Sequence, residues 1–74
     1  MKASHFDTMK PQSNHESFMP DFIAGYESVQ VKLQSYSAES LQNEFNENNP
    51  AGHKPSSLAA YFYAKGELAA MLDS

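Results

Sequence analysis

The sequence predicts a small all-α protein: a helical hairpin of two longer helices with a short middle helix, preceded by a flexible N-terminal arm. Three observations carry this reading. Phe22, Tyr26, Val29, Leu33 and Tyr36 step by four, three, four and three residues, which is the spacing of one helix face. Nearer the C-terminus, Leu58, Tyr61, Phe62, Leu68, Met71 and Leu72 recur at helical spacing among alanines and a glycine. Between the two runs lies a polar, Asn-rich stretch broken by Pro50, Gly52 and Pro55.

Residues 1–17 are mostly polar, with Phe6 and Met9 as isolated large apolar side chains. Such a composition sustains no core of its own, so this stretch reads as a flexible or loosely docked arm, and residues 18–74 as one small helical domain. Phe6, Met9, Phe18 and Met19 are the residues that would anchor the arm on a groove. The first long helix starts near Pro20, because proline suits the first helical position and Asp21 meets the positive end of the helix dipole. Its stripe extends to Tyr36, widened by Ile23. Gly25 costs about 1 kcal/mol relative to alanine inside a helix. Either a second backbone approaches closely there or the position simply tolerates glycine.

Ser37 suits the N-cap of the short helix, with Glu39 in its first turn and Leu41 and Phe45 one turn apart. A surface loop follows over residues 46–56. The last helix takes Ser56 or Ser57 as its cap. Its broad inner face is expected to comprise Leu58, Tyr61, Phe62, Lys65, Leu68, Met71 and Leu72, with the Lys65 amine lifted into water on its apolar stem. Ala60, Tyr63, Glu67, Ala70 and Ser74 make the other face. Three consecutive aromatics, Tyr61 to Tyr63, splay over roughly 200° at ~100° per residue, so one neighbouring helix does not bury them all. Tyr63 is therefore expected to point outward, with small Ala60 and Ala70 beside it. The partner-binding surface is placed there and on the preceding loop, at Tyr63, Glu67, His53 and Lys54.

Composition narrows the function further. The chain has 74 residues, a net charge of −4 and no cysteine. A core below about 70–80 residues usually draws support from disulfides, metal or a partner, and the lack of cysteine leaves the last as the expected one. All five basic side chains are lysines, scattered at positions 2, 10, 32, 54 and 65. Without arginine's bidentate fork and without a basic stripe, direct nucleic-acid binding is not expected. No apolar run reaches the ~18 residues of a membrane span, and no signal-peptide pattern opens the chain, so a cytoplasmic protein is the expectation.

No enzyme chemistry is expected either. His5, His15 and His53 lie in the arm and loop without the spacing that makes metal ligands converge. The carboxylates read as solvated helix faces, and no serine sits in a nucleophile-elbow setting. Gly25, Gly52 and Gly66 are isolated, so no phosphate loop is present. No cofactor is anticipated.

In size, charge and helical pattern the chain resembles the small acidic, cysteine-free proteins that bacteriophages and mobile elements encode to block host machinery, the anti-CRISPR and other anti-defence inhibitors. That resemblance implies a non-enzymatic inhibitor occupying a surface on a larger protein or complex. A structural or regulatory subunit of a homo-oligomer or obligate complex, as an antitoxin is, is the alternative. Gly25-Tyr26 and Tyr61-Phe62 with Gly66 are also similar to ribosome modulation factor, but RNA binding needs basic residues that are missing here.

Overall fold

The computed structural model describes residues 4–50 and 54–74, and it is all-α. In chain order the elements are α1 (His5–Met9), a 3-10 segment (Ser13–Phe18) kinked at His15, α2 (Met19–Lys32), α3 (Ala38–Asn48) and α4 (Leu58–Asp73). Among the described residues there is no strand. The body measures 34 × 33 × 18 Å, about two helices thick.

Local signals set most boundaries. Pro20 occupies the first turn of α2, with Asp21 beside it and Lys32 in the last turn, matching the helix dipole at both ends. The hydroxyls of Ser37 and Ser57 accept the amides of Ser40 at 3.1 Å and Ala60 at 3.2 Å, which caps α3 and α4. The stripe expected to carry the first long helix to Tyr36 stops short. Ser37 must be extended to cap α3, so the chain turns over Leu33–Ser35 and Tyr36 is left 61 % exposed.

The α2–α4 pair is the most extensive in the fold, and it meets backbone to backbone. A Cβ added at Gly25 would overlap the Tyr63 carbonyl oxygen, and one added at Gly66 would overlap the Phe22 carbonyl oxygen. Two glycines thus face each other's helix at the crossing, which answers the question left open at Gly25. Their loss of side-chain burial is offset by the side chains that close around them. Phe22 is fully buried against Phe62 and Ala69, while Val29, Leu41, Ala70 and Met71 form a second cluster where α3 covers the hairpin.

This close approach turns α4 relative to the expected inner face. Phe62, Gly66, Ala69, Ala70 and Met71 are buried, whereas Leu58, Tyr61 and Leu72 are 47 %, 39 % and 43 % exposed. Ala70, read from the sequence as outward, is in the core. The physical reason is that a tight crossing is made by small residues, so large ones are displaced to its flanks.

The segment from Ser4 to Phe18 is packed on the domain rather than extending from it. Phe6 makes edge contacts with Phe22 and Tyr26 at centroid distances of 5.1 and 5.0 Å, and Phe18 stacks on Phe62 at 5.6 Å. Met9 and Met19 join the same cluster. These are the residues marked as anchors in the sequence.

The crossing makes a direct prediction. Gly25→Ala and Gly66→Ala each gain about 1 kcal/mol of intrinsic helix propensity, but the added methyl meets backbone, and overpacking costs roughly 1–3 kcal/mol or more. Both variants are expected to unfold at lower urea concentration than the parent. A variant that gains stability would show that the helices are not held at this distance.

Candidate functional site

Three features of the surface are candidates for function. The first is a polar clasp where α1 meets the end of α4. The Asp73 carboxylate accepts the Tyr26 hydroxyl at 2.7 Å, the His5 backbone amide at 2.7 Å, the His5 ring Nδ1 at 2.9 Å, the Ser4 hydroxyl at 3.0 Å and the Phe6 amide at 3.2 Å. Two of these donors are amides opening α1, so Asp73 adds to the cap made by the Ser4 hydroxyl, which also accepts the Phe6 amide at 3.1 Å. Partial desolvation works to raise the Asp73 carboxyl, but bonds from Tyr26, His5 and Ser4 to its ionised form hold it well below the usual carboxylate range. Burial, followed by the hydrogen bond to Asp73 and its negative charge, pushes the Tyr26 hydroxyl up to about 12. All these donors face one acceptor, an arrangement that fixes the position of α1 on α4.

The second feature is a depression of about 120 Å³ between α2, α3 and α4, with Val29, Leu41 and Met71 at its base and Lys32, Glu44 and Glu67 at its rim. Burial raises the Glu67 carboxyl, Lys32 works to lower it and Glu44 to raise it further.

The third is a groove of about 230 Å³ between the N-terminal segment and the outer flank of α4. Met9, Pro11, Leu58 and Tyr61 supply apolar walls, and Lys10 and Lys65 supply basic ones. The Lys65 Nζ lies 5.3 Å from the centre of the Tyr61 ring, a cation–π distance. The His15 ring packs 5.4 Å from that of Phe62, so it is held as part of the wall.

Against this geometry the residues singled out in the sequence separate. Tyr63 is 39 % exposed, and its carbonyl is the one pressed on Gly25. Glu67, expected on the open face with it, is half-buried at the rim of the α2–α3–α4 depression. Lys54 is exposed, and His53 lies outside the described residues. Sequence reasoning missed the clasp, since nothing in local spacing links Ser4, His5, Tyr26 and Asp73. It also missed the basic groove, whose two walls come from opposite ends of the chain. Among the described residues no three His, Asp or Glu side chains are grouped to hold a metal ion.

No family model matches this chain, and no curated protein or solved structure does either.

The clasp titrates at both ends of the pH scale. Asp73 has a depressed value, so its contribution is complete above the unfolded carboxyl value of about 3.9 and is lost as pH falls through the folded value. Tyr26 has a raised value, so its contribution is complete below about pH 10 and is lost as pH rises towards 12. Urea titrations across pH are expected to show the parent losing stability more steeply than Tyr26→Phe over that alkaline window; coincident alkaline limbs would contradict the clasp. Asp73→Ala is expected to speed exchange of the Thr8 and Lys10 amides by about tenfold or more, given roughly 1.5–3 kcal/mol per charge-assisted bond. Equal acceleration throughout α2 would mean that the effect is global rather than local to α1.

Proposed function

We propose that this protein is a non-enzymatic protein-binding module that acts by covering a surface on a larger protein or complex. The observation that carries the reading is the outer flank of α4, where Leu58, Tyr61 and Leu72 stay exposed because glycine and alanine take the inner face. Aromatic and large apolar side chains on a rigid helix supply interface area at low entropic cost, and tyrosine is prominent among interface anchors. The finer reading, a small inhibitor of phage or mobile-element origin of the anti-CRISPR or other anti-defence type, is supported by size, acidity and the lack of cysteine. The competing contact surface at Tyr63 with Lys54, His53 and Glu67 is kept as part of this proposal.

The same exposed flank also favours a second reading, in which a copy of the chain covers it and the protein is a subunit of a homo-oligomer or obligate complex. Light scattering over a range of concentrations separates the two: constant monomer mass fits the inhibitor, and a rising mass fits the oligomer.

Truncating an anchor typically costs more than ~1–2 kcal/mol of binding, while substitution at an exposed helix position changes stability by about 0.5 kcal/mol or less. In affinity capture from a native lysate, Tyr61→Ala is therefore expected to weaken retention of a stoichiometric partner at least tenfold, with little change in the melting curve. Loss on Tyr63→Ala instead would move the contact to the other flank of α4. Retention unchanged in both variants would remove the helix as the binding element.

A further inference from the structure

We propose that the groove between the N-terminal segment and α4 docks an acidic segment of a partner protein, one that brings one or two large apolar side chains into it. This rests on the protein-binding reading above and adds where the partner sits and what chemistry recognises it.

The groove is small and half open. At about 230 Å³ it falls below the roughly 300–1,000 Å³ of small-molecule sites, and it suits side chains better than a cofactor. Its apolar walls are Met9 and Pro11 on one side and Leu58 and Tyr61 on the other. Leu58 and Tyr61 are both exposed, so an occupant that covers them removes apolar surface from water.

Charge decides the rest. The chain carries a net −4, yet the described residues lining this groove include the cations of Lys10 and Lys65 and no carboxylate. Asp7 and Glu16 belong to the same N-terminal elements but are not part of the lining. Lys65 is held over the Tyr61 ring, which fixes a cation beside the apolar wall. Screening reduces charge interactions beyond about 8 Å at physiological salt, so the distant acids of α3 act little on a docked segment, and the two lysines that line the groove act on it more directly than Asp7 and Glu16, which adjoin the lining residues Thr8 and His15 in sequence. An acidic, apolar segment satisfies both walls at once.

The most acidic helix of a second copy of this chain is a poorer occupant. This element, α3, carries Glu39, Glu44 and Glu47, but its Leu41 is buried and its Phe45 is half-buried against the core cluster. That helix offers charge without a large apolar side chain to fill the groove.

The test uses three fluorescein-labelled peptides against the full chain, read by anisotropy. One alternates Glu with Leu and Phe, the second replaces Glu by Lys, and the third replaces Leu and Phe by Ala. The first is expected to bind at least tenfold more tightly than either control, and more weakly as salt rises. Lys10→Gln with Lys65→Gln, and the charge-reversed Lys10→Glu with Lys65→Glu, are each expected to weaken it at least tenfold while melting like the parent. Val31→Ala, on the exposed side of α2 and outside the groove, is expected to leave it unchanged. Equal binding of all three peptides, or affinity indifferent to both lysine pairs, overturns the assignment. So does salt-sensitive self-association abolished by Lys10→Glu with Lys65→Glu, which would put a second copy in the groove. If the acidic peptide fails while lysate capture still depends on Tyr61 or Tyr63, the groove assignment falls and the protein-binding reading stands. If capture fails too, both fall.

Discussion

The backbone crossing of α2 and α4 at Gly25 and Gly66 is the constraint on which the rest of this structure depends. Helix pairs with ordinary side chains between them stand roughly 8–10 Å apart; here each helix presents a glycine to a carbonyl of the other. That proximity leaves no room for a side chain where the backbones cross, so the large inner residues Phe62 and Met71 pack to either side of Gly66. It selects Gly66, Ala69 and Ala70 for the contact and moves Leu58, Tyr61 and Leu72 outward. The surface proposed for function is thus a direct result of how the core is closed.

A two-helix pair of this kind buries too little to stand alone, and the remaining elements act as its cover. The segment 4–18 supplies Phe6, Met9 and Phe18 to one cluster, while α3 supplies Leu41 and Phe45 to the other. Each cluster includes residues from both long helices, so loss of either cover exposes part of the same interface. Asp73 joins these tasks: it ends α4, bonds Tyr26 of α2 and adds to the cap of α1. Its ionised form is satisfied by five donors, which explains why the carboxylate stays charged although its side chain is largely covered.

Much of the fold was legible because it is written in local patterns. The four-three spacing from Phe22 to Leu33, proline at the start of α2, and the serine caps at 37 and 57 each act within a turn or two, and each appears where the sequence places it. The facing of α4 was not legible in the same way. Large residues were taken to mark the inner face, but alanine and glycine are ambiguous: they serve equally as surface filler and as the substance of a tight crossing. Gly25 held the clue, and its partner Gly66 could be identified only with both helices in place. Residues 4–18 carry too few apolar positions for any period to emerge, and their packing is fixed by rings on other elements. The clasp and the basic groove are non-local for the same reason, and Tyr36 misled because a periodic residue one place before a helix cap is spent on the turn.

The contact between Ser4 and Asp73 spans 69 positions of sequence, and this bears on how the chain acquires its structure. Ser4 gives α1 only a local cap, and α2 finds its main packing partner in α4, so these elements gain most of their stability together. Non-local contacts of this kind delay folding, because loop closure must be met before they contribute. Until α4 packs on α2, Phe6, Phe18, Met19 and Phe22 lack the covering that Phe62 and Ala69 provide. The interaction that joins α1 to the last turn of α4 thus also makes their folding cooperative.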